Sequence, residues 1–136
     1  MKDRYAYTAV FNYADDGISI SFPDLPGCYP CAGTEEQALK NAKEAMGLHL
    51  WGMEKDGDEI PTPTPVKNIT LDENEVAVLI QVFMPPIRER INNRFVKKTL
   101  SLPAWLAAAA DESDVNCSKV FQNALMEYLN VSPPQK

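Results

Sequence analysis

Residues 95–129 read FVKKTLSLPAWLAAAADESDVNCSKVFQNALMEYL, and this stretch limits the architecture more than any other. It scans as a short strand ending at Leu102, then two helices parted by the polar turn DESD. Pro103 stands where the first helical residue belongs, a place that tolerates its missing N–H. Trp105, Leu106, Ala109 and Ala110 give the first helix an apolar stripe. Asn116 is the expected cap of the second, with Val120, Phe121, Ala124, Leu125 and Tyr128 facing inward. A strand and two helices in about 40 residues cannot bury an adequate core alone. The segment should therefore dimerise, with Leu100, Leu102, Trp105, Phe121 and Leu125 as its shared core.

Strand alternation sorts the side chains of KKTLSL. Leu100 and Leu102 face one side and would pack under the helices, while Lys97, Thr99 and Ser101 face the other. A pair of such strands offers short or cationic polar groups to a groove, where Lys addresses guanine acceptors and Thr the thymine methyl. The pattern resembles a ribbon–helix–helix DNA-binding domain, whose two-stranded antiparallel ribbon enters the major groove. That resemblance implies base or phosphate contacts from Lys97, Thr99 and Ser101. It also implies a phosphate contact at the start of the last helix, around Asn116, Ser118 and Lys119, where backbone N–H groups are free. The family usually carries a more polar residue where this chain has Cys117.

The net charge of −6 hides a division. Residues 1–86 hold 14 acidic and 6 basic side chains, whereas residues 87–136 hold 5 acidic and 7 basic ones. Arg88, Arg90, Arg94, Lys97 and Lys98 fall close together, against Glu89 alone. An acidic body joined to a basic segment points to two partners of opposite charge.

The acidic part begins with a strand from Tyr5 to Tyr13 that places Tyr5, Tyr7, Ala9, Phe11 and Tyr13 on one face. Asp15-Asp16-Gly17 turns the chain, and Ile18, Ile20 and Phe22 alternate with serines to complete a hairpin. PDLPG breaks the second strand, and a short extended piece around Cys28–Ala32 follows. Thr34 opens a helix with Gln37 at capping-box spacing. Its predicted stripe is Leu39, Ala42, Met46, Leu50 and Met53, and Gly57 stops it. IPTPTPV is an extended connector, and VAVLIQVF a strand continuous enough to expect burial on both faces. Pro85-Pro86 ends that strand and opens a hinge of charged and asparagine residues.

The phrase ISFPDLPGCYPCAGTEEQALKNAKEAM, followed by Ile60-Pro61-Thr62-Pro63, resembles the N-terminal domain of HicB-type antitoxins. With the ribbon–helix–helix pattern behind it, the resemblance runs in order over almost the whole chain. It implies an α+β protein in two parts. Residues 1–86 would form a partial ribonuclease-H-like β-β-β-α-β domain that binds a toxin, residues 87–94 a hinge, and residues 95–136 the DNA-binding dimerisation domain. It further implies an antitoxin that masks a small, basic, HicA-type mRNA-cleaving toxin and represses its own operon through double-stranded operator DNA. The assembly would be a homodimer through the C-terminal domain, with a tetramer as a larger alternative. An orphan repressor, with an N-terminal domain that senses a ligand or drives oligomerisation, is the alternative. Toxin contacts would fall on exposed acids and the PDLPG loop, namely Asp15, Asp16, Asp24 and Leu25.

Catalysis is disfavoured. Two-metal hydrolysis needs carboxylates converging from strand centres, and YAYTAVFNY has none. Cys28 and Cys31 lie ahead of the helix with Pro30 between them, so neither takes the helix-start position that activates a redox thiol. Only His49 and Cys117 could complete a zinc site, at no recognised spacing. No metal, cofactor or membrane partner is expected, and reduced structural thiols fit a cytoplasmic protein.

Overall fold

The computed structural model describes residues 2–92 and 94–132, and the chain divides into two compact units, Met1–Glu89 and Arg90–Lys136. Met1, Asn93 and residues 133–136, which belong to the expected domains and hinge, lie outside the described residues.

The first unit runs β1 (Arg4–Ala14), β2 (Gly17–Ser21), β3 (Cys31–Ala32), α1 (Glu35–Asp56) and β4 (Glu75–Phe83), the β-β-β-α-β order read from the sequence. The sheet is antiparallel throughout, in the order β3-β2-β1-β4. Alternation in β1 builds one apolar face. Tyr5, Tyr7 and Ala9 stand opposite Val82, Ile80 and Val78, and Phe11 and Tyr13 stand opposite Ile20 and Ile18.

Helix α1 covers that face with Ala38, Ala42, Met46 and Leu50, all fully buried. The two alanines let the helix axis approach the sheet, and the longer residues fill the space beyond them. Leu39, expected in this stripe, is 50% exposed, and Ala38 takes its place. The contact follows the i, i+4 row 38-42-46-50, and Leu39 lies one step round the helix from it. Phe22 and Leu25 complete the core. Each such buried side chain contributes about 1.5–3 kcal/mol.

The helix ends are set by local chemistry. Thr34 Oγ1 accepts the Gln37 N–H at 3.2 Å, and Gln37 Oε1 accepts the Gly33 N–H at 3.4 Å, one residue earlier than in the standard box. Gly57 closes the helix at φ 75°, where a side chain would be strained.

Residues beyond β4 depart from the expected hinge, because Met84–Asn92 forms a second helix, α2. Pro85 and Pro86 sit in its first turn, where no intrahelical N–H is required. Met84 is fully buried, and Ile87 closes over Gly47, where an added Cβ would collide with Ile87 Cδ1. Arg88 then grips the body of the unit. Its Nε and Nη2 donate to the two oxygens of Glu54 at 3.1 and 2.8 Å, its Nη1 to Asp3 at 3.1 Å, and Nη2 also to the Lys2 carbonyl at 2.6 Å. Tyr5 Oη donates to the same Glu54 at 3.2 Å.

In the second unit, Pro103 caps α3 (Ala104–Glu112), and Asn116 caps α4 (Cys117–Leu129). Residues 94–103 belong to neither helix nor strand, so the strand expected to end at Leu102 is absent from the single chain. A lone strand has no ladder to join. No described residue of this unit is buried; Arg90, Ile91, Ala107, Ala110 and Met126 reach intermediate exposure.

Arg88→Ala leaves the carboxylate of Glu54, 5% exposed, without its cation. Removing one member of such a pair should cost the first unit about 2–4 kcal/mol. Urea unfolding followed through tyrosine circular dichroism checks this, with Asp3→Ala, whose carboxylate is 66% exposed, expected to cost under about 1 kcal/mol.

Candidate functional site

The acidic residues of the first unit fall into two groups. Several are committed inside it. Glu35 accepts from Tyr13 Oη at 3.0 Å, and this hydrogen bond raises the tyrosine's pKa. Glu75 accepts the Asp72 N–H at 2.8 Å. Glu54 holds Arg88 and Tyr5. Asp15 and Asp16 differ: both are exposed, in the turn that joins β1 to β2 across the Ala14–Gly17 pair. Gly17 is required there, since a Cβ would sit 2.9 Å from the Ala32 carbonyl oxygen at φ 143°.

Asp24 and Leu25, grouped with that pair in the sequence reading, are used internally. Asp24 clamps the Pro-Thr connector, accepting the Thr64 N–H at 2.8 Å on Oδ2 and the Thr64 hydroxyl at 2.6 Å on Oδ1. Leu25 is 1% exposed, within the core. The PDLPG loop therefore seats the connector, and Tyr7 Oη fixes it a second time through the Pro61 carbonyl at 2.6 Å.

The C-x-x-C pair is split by the fold. Cys28 is 4% exposed, and burial pushes its thiol up to about 11. Cys31 is exposed in β3 opposite Ser19, and all three cysteines are free thiols. His49 lies on the border of α1, its Cε1 3.7 Å from where a Gly27 Cβ would stand. Among the described residues, no three His, Cys, Asp or Glu side chains converge as metal ligands. No described helix is long and apolar enough to cross a membrane.

In the second unit, Lys97, Thr99 and Ser101 are exposed, as are Ser118 and Lys119 in the first turn of α4. Asn116 spends its side-chain oxygen on the Lys119 N–H at 3.1 Å, so that donor is already satisfied. Leu100, Leu102, Trp105, Phe121 and Leu125 are all exposed in the single chain, Trp105 at 72%. Arg88, counted with the basic segment in the sequence, is withdrawn from it by Glu54 and Asp3. Nothing in the spacing of residues 54 and 88 could have revealed that pairing.

A family model of the HicB-like antitoxins of bacterial toxin–antitoxin systems matches residues 7–125. An uncharacterised 14.9 kDa protein of Haemophilus phage HP1 is 28% identical over 106 residues, 78% of this chain and 79% of its own. The chain also resembles, at 19% identity and TM-score 0.59, a toxin–antitoxin complex from Streptococcus pneumoniae, covering 92% of this chain and 99% of that one. It resembles the antitoxin HicB of Burkholderia pseudomallei at 19% identity and TM-score 0.54, covering 92% and 98%. A HicA3–HicB3 toxin–antitoxin complex gives 23% identity and TM-score 0.51 over 57% of this chain and 98% of that one. At these identities the solved structures share the fold.

The contrast between the thiols is directly measurable. A maleimide or disulfide reagent at pH 8 should modify Cys31 and Cys117 of the native chain rapidly and leave Cys28 untouched until the protein unfolds. Peptide mapping after a short pulse reports each site.

Proposed function

The chain belongs to the HicB-like antitoxin family of bacterial toxin–antitoxin systems, and from that premise we propose that it neutralises a HicA-type mRNA-cleaving toxin and represses its own operon. The observation that carries this reading is the family match, which begins in β1 and ends in α4 and so spans both units. The solved toxin–antitoxin complexes of the same fold, one of them pairing HicA3 with HicB3, support a toxin as the partner.

The first unit is the toxin-binding part. Residues 1–86 carry 14 acidic against 6 basic side chains, a field that steers a basic partner. Of the four residues put forward for that contact, Asp15 and Asp16 present their carboxylates to solvent. Asp24 and Leu25 act by holding the loop and connector in place.

The second unit is a ribbon–helix–helix domain completed by a second copy. Residues 97–102 of two chains pair antiparallel, which turns Leu100 and Leu102 under the helices and Lys97, Thr99 and Ser101 toward the major groove. The apolar side chains left open in the single chain, Trp105, Phe121 and Leu125 among them, supply the shared core. The N–H groups of Cys117 and Ser118, at the start of α4, meet a phosphate.

Fluorescence anisotropy with a fragment of the chain's own upstream promoter, against a scrambled duplex at several salt concentrations, tests the DNA-binding half. The wild-type chain binds tightly, prefers the promoter and weakens with salt. Lys97→Ala either lowers the salt slope by about one, as a lost phosphate contact does, or costs about 1–3 kcal/mol of discrimination, as a lost base contact does. Leu100→Asp, which puts a charge into the shared core, removes promoter binding while toxin binding persists. A Leu100→Asp chain that still prefers the promoter refutes the ribbon.

A further inference from the structure

One row of residues runs in register across all four strands of the sheet: Cys31 opposite Ser19, Ser19 opposite Asn12, and Asn12 opposite Glu75. Asn12 is an even residue of β1, so the row lies on the face away from α1. It forms the floor of a cleft of about 500 Å³, with Ser21 beside it and Tyr29 at the β3 end. Three strand spacings make the row about 14 Å long. Its central side chains are short, which leaves room for longer ones to lie across them. Tyr29 is 70% exposed and makes no hydrogen bond or ring contact among the described residues. At the other end Glu75 spends one oxygen on the Asp72 N–H and holds Asn12 Nδ2 only at 3.5 Å, so lone pairs of its carboxylate stay open.

The surroundings of this cleft are acidic. Asp15 and Asp16 stand at the adjoining turn, and Asn74 accepts the Tyr13 N–H at 3.0 Å, which brings Glu73 to the same end. Residues 5–39 and 68–87, which build this end of the sheet, contain no lysine or arginine. The carboxylates of Asp15, Asp16 and Glu73 have no ion-pair or hydrogen-bond partner among the described residues, so their charge is not neutralised within the unit.

We propose that a basic segment of the toxin lies extended across this row, with an arginine on the ring of Tyr29 and a second cation between Glu75 and Glu73. The proposal rests on the antitoxin reading above and names a contact for it. A guanidinium stacks on an open tyrosine ring, and the carboxylates at the far end receive the other charge. In an extended segment residues i and i+4 share one side and stand about 13 Å apart, which matches the row. Between them Ser19, Ser21 and Asn12 offer hydrogen bonds. Nucleic acid and anionic lipid are repelled by the same carboxylates, and a second copy would bring an identical set against them.

Native Cys31, exposed on the cleft floor, reports what covers it. The probe is the HicA-type product of a short basic reading frame sought beside this gene. When it saturates the full-length chain, a brief maleimide pulse and peptide mapping should find Cys31 labelled about tenfold more slowly than in the free chain, with Cys117 unchanged. Tyr29→Ala should weaken the complex about tenfold. Glu73→Lys should slow association about tenfold at low salt. Asp58→Lys makes the same change of charge beyond the far end of α1, about 33 Å away along a helix of 22 residues, and should alter binding less than about twofold. Cys31 that labels at the free rate in the complex, Tyr29→Ala that binds as the wild type, or equal losses from Glu73→Lys and Asp58→Lys each overturn the proposal and leave the antitoxin reading standing. A wild-type chain that binds no such product overturns that reading, and this contact with it.

Discussion

A segment of two helices that buries none of its described side chains cannot be stable as it stands, and that constraint governs how this chain works. Residues 94–132 leave Leu100, Leu102, Trp105, Phe121 and Leu125 in solvent. Their burial can come only from another surface, and the proposed ribbon supplies one of equal and matching composition. On that proposal folding of the second unit and dimerisation are one equilibrium, so the proposed DNA binding would rise with chain concentration. The proposed repression would then strengthen as the protein accumulates, as autoregulation requires.

The first unit solves its packing differently. One helix covers one face of the sheet, and alanines at 38 and 42 allow it to lie close. The excess of acid in this unit is partly illusory as a docking surface. Glu54 is turned inward to Arg88 and Asp24 to Thr64, and Glu35, though exposed, is engaged by Tyr13. Asp15 and Asp16 remain outward at the tip of the hairpin, and exposed acids also lie along α1 and in the loops, Glu36, Asp58 and Glu73 among them. Among the described residues the β4 edge of the sheet is unpaired, with Leu79 and Phe83 exposed on that strand.

Features of the fold that depend on a few neighbouring residues were legible in the sequence. The Asp-Asp-Gly turn, the Thr34 and Asn116 caps and the Gly57 stop all arise from chemistry within a few residues. The order of strands and helix in the first unit followed from them. Long-range partners were not legible. Leu39 looked apolar enough for the core, but the approach of the sheet selected the row through Ala38. Pro85-Pro86 read as the start of a hinge because nothing in the sequence announces that Arg88 will be held by Glu54, 34 residues earlier. Asp24 and Leu25 looked like a surface loop because Thr64 and the core lie far away in sequence. The apolar run of β4 argued for burial on both sides, a condition that one chain alone does not meet.

The central claim is that this chain silences a ribonuclease by binding it. The most direct test is to seek a short basic reading frame beside this gene, purify its HicA-type product and follow cleavage of a messenger RNA while this chain is titrated in. Cleavage that stops at stoichiometric amounts, and resumes when the chain is removed by proteolysis, is the result the account predicts. Cleavage that continues undiminished through a large excess of the folded chain would contradict it.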